Sequence, residues 1–227
     1  IESEKGQHIE LGISENNLIM LLGQLGLSYE MNDELLFPIG TLYDPFLRRG
    51  LDAFFYSVYS GSKFILVGTP SGITLGPEGG AHQSLITPSI GVELPELSFY
   101  EPCFGQELEW IILSSLENIR TRTESTYLRL SSQRIDQSLF NPPQDPKFLE
   151  LLRKQVIYGA YKLIDRSVEH NYSPKSNVVN IACSGVMVPE AIKASNNLLE
   201  EEIFANVINV TGPGPLYRDC LLYTSDA

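Results

Sequence analysis

The stretch TPSGITLGPEGGAHQS, Thr69 to Ser84, decides the reading of this chain. It follows an apolar run, Phe64 to Val67, and ends in a loop where Gly76, Gly79 and Gly80 permit tight turns and present one histidine, His82. A buried strand that empties into a glycine loop is the form in which open α/β sheets offer a side chain to a ligand. A second segment, GQHIELGISENN (Gly6 to Asn17), places a lone carboxylate, Glu15, at the start of a helical apolar pattern. A carboxylate at a helix start and a histidine on a glycine loop make a plausible acid/base pair. The structural alternatives are a helix-start carboxylate favoured by the macrodipole and a loop histidine satisfied by backbone.

Outward from these segments the chain alternates short apolar strands with amphipathic helices. Leu18, Leu21, Leu22 and Leu25 fall at i, i+3, i+4, i+7, a helical stripe. Leu35 to Tyr43 reads as a buried strand interrupted by Pro38 and Gly40, and Leu47, Leu51, Phe54, Phe55 and Val58 as a helix. Lys63 to Val67 is a second strand. Leu108, Ile111, Ile112, Leu116 and Ile119 make a further helix, followed by a strand at Thr126 to Leu130. The alternation predicts, for residues 1–130, a three-layer α/β domain with a mainly parallel sheet covered on both faces. Residues 131–176 read as an interdomain connection. The prolines at 142, 143 and 146 break the chain, a helix is expected from about Lys147 to Val168, and Pro174 breaks it again. Val178 to Ala182 and Ile203 to Val210 frame a helix with Pro189 in its first turn, so 177–218 is expected to begin a further α/β domain.

Composition narrows the classes of function. The chain has 227 residues and a net charge of −12 with no basic block, which disfavours nucleic acid and anionic membrane surfaces as partners. Its three cysteines, Cys103, Cys183 and Cys220, are far apart and lack metal-ligand spacing, which suits a reducing compartment rather than a disulfide framework or zinc site. No run reaches membrane-span length. The chain starts at Ile1 rather than Met, and its last residues, CLLYTSDA, resemble a translated sequencing adapter of assembled metagenomic reads. Residues 219–227 are therefore set aside, and an internal fragment of a longer polypeptide is expected.

Taken in order, GQHIELGISENN, LYDPFLRRGLDA and TPSGITLGPEGGAHQS resemble the pyrimidine-binding domain of the transketolase superfamily. The resemblance is nearest to the homodimeric decarboxylase component of 2-oxoacid dehydrogenase complexes, the pyruvate dehydrogenase type. It continues through YLRLSSQRIDQ (Tyr127 to Gln137), and NVVNIACSGVMVPEA looks like the opening of that family's C-terminal domain. The resemblance implies thiamine diphosphate as cofactor. It makes Glu15 the glutamate that hydrogen-bonds the aminopyrimidine and His82 the histidine that faces the reacting carbon and the substrate. Tyr43 and Phe46 become candidates to stack on the ring, with Leu42 as an alternative at that position and Arg49 near the site. His8 and Glu10 would line the substrate entrance, and His170 is expected on the solvated surface. The diphosphate and its Mg2+ are held in this family by a Gly-Asp-Gly…Asn motif on another domain. That motif is not found here, so no metal ligand is assigned.

What the resemblance implies is oxidative decarboxylation of pyruvate or a related 2-oxoacid, with acyl transfer to a lipoyl group on a partner acyltransferase. It also implies a cytoplasmic homodimer associated with glycolysis, with the isolated fragment inactive. Two alternatives stand beside it. One is transketolase-type two-carbon transfer between sugar phosphates, made less attractive by three histidines and 16 Lys and Arg in all. The other is a non-catalytic module or inactive fragment.

Overall fold

A computed structural model describes residues 6–82 and 84–217; the tail set aside at 219–227 lies outside the described residues. Four strands form the first sheet: β1 (Ile39–Leu42), β2 (Ile65–Gly68), β3 (Leu97–Tyr100) and β4 (Ser125–Arg129). They lie in the order β1-β2-β4-β3, and every pairing is parallel. Helices α1 (Glu15–Gly26), α2 (Ser28–Asn32), α3 (Leu51–Tyr59), α4 (Thr87–Glu93) and α5 (Gly105–Arg120) accompany it.

Alternation along the strands builds the layers. Neighbouring side chains of a strand point to opposite faces. Phe64, Leu66, Phe99 and Tyr127 join Ile19, Leu47 and Phe54 on the face covered by α1 and α3. Ile65, Tyr100 and Leu128 join Trp110, Ile111 and Ile119 of α5 on the other. The result is the three-layer α/β architecture with a parallel sheet that the sequence predicts. The apolar stripe of α1 is turned by one residue from the expected one. Ile19, Leu22, Gly23 and Gly26 are buried, whereas Leu18, Leu21 and Leu25 are only partly so. The glycines cause the turn. A Cβ at Gly23 would sit 2.3 Å from Ser57 Oγ and one at Gly26 2.7 Å from the Lys63 carbonyl, so the helix approaches its neighbours by its smallest side.

A second sheet has the order β5-β7-β6, from β5 (Ala160–Ile164), β6 (Val178–Cys183) and β7 (Phe204–Val210). β6 runs parallel to β7, crossed over by α7 (Val188–Glu200), and β5 runs antiparallel to β7. Three expectations are corrected here. The helix expected over 147–168 is α6 (Pro146–Tyr158) and no longer. It starts where Asp145 accepts from Lys147 N (2.8 Å) and Phe148 N (3.3 Å), and stops at Gly159 with φ +111°, after which the chain extends as β5. Thus β5, inside the segment read as a connection, is an edge strand of the second sheet. The strand expected over 35–43 is confined to Ile39–Leu42, because Pro38 has no N–H to add to the ladder. Strand β3 and helix α4 lie in a stretch where no element was predicted.

Candidate functional site

The site is built where β1 and β2 end side by side. Because the two strands are parallel and adjacent, the loops leaving their C-terminal ends are neighbours. The loop after β1 passes through Tyr43 into a 3₁₀ turn, Asp44–Gly50, which carries Phe46 and Arg49. The loop after β2 makes two 3₁₀ turns, Gly72–Glu78 and Gly80–His82, joined at Gly79 with φ +94°. Tyr43 and His82 thereby meet. Tyr43 Oη lies 3.2 Å from His82 Nδ1 and donates to Glu78 Oε2 at 2.6 Å. Burial, with the Glu78 carboxylate beside it, pushes the Tyr43 hydroxyl up to about 12. The Phe46 ring stands edge-on to Tyr43 at 5.0 Å and lies 5.8 Å from the His82 ring.

Glu15 approaches Tyr43 and Phe46 from α1. A Cβ at Gly50 would lie 2.6 Å from Ile19 Cδ1 and 3.2 Å from Asn16 Cα, so the end of the 3₁₀ turn packs directly on the first turn of α1. That contact puts Arg49 beside Glu15. Arg49 Nη1 donates to Glu15 Oε1 at 3.3 Å, and its guanidinium lies over the Phe46 ring, 3.8 Å from the centroid. The Glu15 side chain is 12% exposed. It opens on a cleft of about 690 Å³ whose walls include His8, Glu10, Glu15, Leu42, Tyr43 and Phe46. Leu42 belongs to this wall and also to the core cluster with Ile19 and Leu47. The His82 ring packs against the Tyr43 and Phe46 rings and is not part of the cleft wall. His170 is exposed and hydrogen-bonds Asn171, away from this place.

Beneath the loops lies a polar network that sequence reasoning missed. Asp44, fully buried, accepts from Tyr127 Oη, from Thr87 Oγ1 (2.8 Å) and from Arg129 Nε (3.3 Å). Arg129, at the end of β4, also donates to Glu101 Oε1 (2.7 Å) and to the carbonyl and hydroxyl of Ser84, whose Oγ accepts in turn from Gly72 N (2.7 Å). One arginine thus ties both loops to β3 and β4. Burial holds the Glu101 carboxyl above its ordinary range although Arg129 opposes the shift, and burial with Asp44 beside it holds the Tyr127 hydroxyl well up. The available signal was an Asp, a Gly and an Arg at the C-terminal ends of three strands; Gly68 has no room for a Cβ, which would sit 2.4 Å from Asp44 Oδ1. Among the described residues no cluster of three His, Cys, Asp or Glu could hold a metal ion, and no helix is long and apolar enough to cross a membrane.

No protein-family model matches the chain. Among curated proteins it is 27% identical over 222 residues to the pyruvate dehydrogenase E1 component of Mycobacterium tuberculosis, covering 96% of this chain and 23% of that protein. It is 26% identical over 222 residues to a 6-deoxy-6-sulfo-D-fructose transketolase subunit of a Clostridium species, covering 96% and 59%. Among solved structures, transketolase from Leishmania mexicana superposes with a TM-score of 0.72 at 24% identity, over 93% of this chain and 28% of that one. The chain therefore spans about a quarter of the length of the pyruvate dehydrogenase relative. Pyruvate dehydrogenase E1 components and transketolases, the grouping that its motifs resemble, are among its relatives, and its fold is the transketolase-like α/β fold.

Proposed function

We propose that this chain is a segment of a thiamine diphosphate-dependent decarboxylase component of a 2-oxoacid dehydrogenase. It would act on pyruvate or a related 2-oxoacid, as a cytoplasmic homodimer, and pass the acyl unit to a lipoyl group on a partner acyltransferase. One observation carries the reading of the site. Glu15 and the Phe46 ring contact the same planar group, the Arg49 guanidinium, one at its N–H edge and one at its face. A carboxylate and an aromatic face so disposed fit a flat nitrogen heterocycle in the place of that guanidinium. When bound, thiamine diphosphate supplies an electron sink for the bond-breaking step.

In this reading Glu15 hydrogen-bonds the aminopyrimidine and shares a proton with it, from a cleft that shields the carboxylate from bulk water. Phe46 offers a ring face and Tyr43 a flanking wall. His82, which lies beside the Tyr43 and Phe46 rings and outside the cleft wall, is assigned to the substrate's oxo or carboxylate group by the resemblance, and His8 lines the cleft. The diphosphate and its Mg2+ are assigned to residues outside this chain. Transketolase-type two-carbon transfer is the second reading, supported by the transketolase subunit that aligns with 96% of the chain. The test is an assay of the full-length gene product. The first reading expects 2-oxoacid-dependent dye reduction that requires thiamine diphosphate and a divalent metal. Two-carbon transfer between sugar phosphates, with no dye reduction, would replace it by the second.

A further inference from the structure

Glu78, Tyr43 and His82 form a chain of hydrogen bonds whose direction follows from counting protons. Tyr43 Oη has one hydrogen and two possible partners, Glu78 Oε2 at 2.6 Å and His82 Nδ1 at 3.2 Å. An ionised carboxylate accepts only, and a hydrogen bond to it is shorter and stronger than one to a neutral acceptor. The phenol hydrogen therefore goes to Glu78. The phenol oxygen is left as an acceptor toward His82, so Nδ1 must supply the hydrogen. The Glu78 carboxylate, 3.8 Å from Nδ1, draws a hydrogen to that nitrogen as well. In a neutral imidazole with Nδ1–H, Nε2 carries the free lone pair. The ring packs against two others, 5.7 Å from Tyr43 and 5.8 Å from Phe46, which are themselves 5.0 Å apart.

We propose that Glu78 and Tyr43 are positioning residues that fix neutral His82 as its Nδ1–H tautomer, so that Nε2 meets the substrate as a proton acceptor and not as a donor. The consequence for the reaction rests on the reading of His82 given above. Without these partners a histidine in water favours the opposite tautomer, with hydrogen on Nε2. His82 would then offer a donor where the bound 2-oxoacid meets an acceptor. Proton uptake at Nε2 gives an imidazolium whose Nδ1–H still points to Tyr43 and whose charge lies beside Glu78.

Nitrogen-15 NMR of the full-length gene product, free of cofactor and labelled at histidine, tests the proposal. Spectra are taken well above the usual histidine titration range, and the His82 signals are identified by their loss in His82→Gln. The wild-type chain should show His82 with hydrogen on Nδ1. Tyr43→Phe removes the acceptor, and Glu78→Lys replaces the carboxylate by a group that can only donate. Both should move the population to the Nε2–H form. Glu78 is more than half exposed, so its replacement leaves the core untouched. Hydrogen on Nε2 in the wild-type chain, or a population unchanged in both variants, overturns the proposal. The measurement needs neither cofactor nor turnover, so its outcome and that of the dye-reduction assay fail independently.

Discussion

Glu15 and Arg129 show two uses of a buried or half-buried charge. Glu15 sits at the mouth of a cleft with one exposed partner, Arg49, and nothing in the core depends on it. On the proposed reading, Glu15→Gln in the full-length gene product should keep the fold and cut turnover about 100- to 10,000-fold, because the amide keeps the shape but cannot share a proton with the cofactor. Exchange of the cofactor's C2 proton at the wild-type rate would leave Glu15 as a helix-start carboxylate only. Arg129 is the opposite case. It neutralises Asp44 and Glu101 in a place shut off from water. Arg129→Met should cost about 3–5 kcal/mol in denaturant unfolding, since it strands two carboxylates. Adding Asp44→Asn to that variant should cost less than the two single changes together, because one stranded charge is gone. The residue-level pattern was legible for Glu15 and His82, which stand in recognisable segments, and illegible for Asp44 and Arg129. Those two are 85 residues apart and meet only because β2 pairs with β1 on one side and with β4 on the other.

At the scale of elements, the junction between α6 and β5 is set by one glycine. Gly159 has φ +111°, and a Cβ there would lie 2.3 Å from the Gly212 carbonyl oxygen. Gly159→Ala should destabilise the chain by about 1–3 kcal/mol through backbone strain, before the clash is relieved. Urea unfolding measures this, and a change within error would mean that the turn adapts freely. A helical pattern read across 147–168 overlooks such a stop. The apolar spacing of Val156, Tyr161 and Leu163 suits a strand and a helix about equally. Gly159 was the breaker signal, and its weight becomes clear only once β7 is seen to need an antiparallel partner.

For the whole molecule, the joint between the two sheets combines an apolar cluster, in which Tyr100, Phe104, Val156, Tyr161 and Val188 are buried together, with one buried polar node. Glu107, at the start of α5, accepts from Cys103 N (2.8 Å) and Phe104 N (2.9 Å), from Tyr161 Oη on β5 (2.6 Å) and from Asn209 Nδ2 on β7 (2.6 Å). Burial holds its carboxyl above the ordinary range despite these donors. The same burial, with Glu107 nearby, pushes the Cys103 thiol up to about 12, so it stays a protonated packing group at neutral pH. A carboxyl with a raised folded-state pKa binds its proton more tightly in the native chain than in the unfolded one. Its contribution to stability is present below the unfolded value of about 4.3 and is lost as pH rises through the raised one. Glu107→Gln should therefore show a shallower fall in unfolding free energy from about pH 4.5 upward than the wild-type chain, measured by denaturant titration across pH. Parallel curves would mean that Glu107 does not titrate differently in the fold.

The sequence by itself determined the class of the molecule and named the segments of its candidate site. Strand and helix periods imply a covered parallel sheet, and Glu15, Tyr43, Phe46 and His82 stand in motifs whose local order is written in the chain. Those features depend on near neighbours, so a linear pattern carries them. Tertiary structure decided what links distant positions. It turned α1 onto its glycine side, made β5 an edge strand, put Arg49 between Glu15 and Phe46, and joined Asp44 to Arg129 and Glu107 to Asn209. Each of these depends on which strands pair and how closely helices approach, and that is settled by the packing of the whole core.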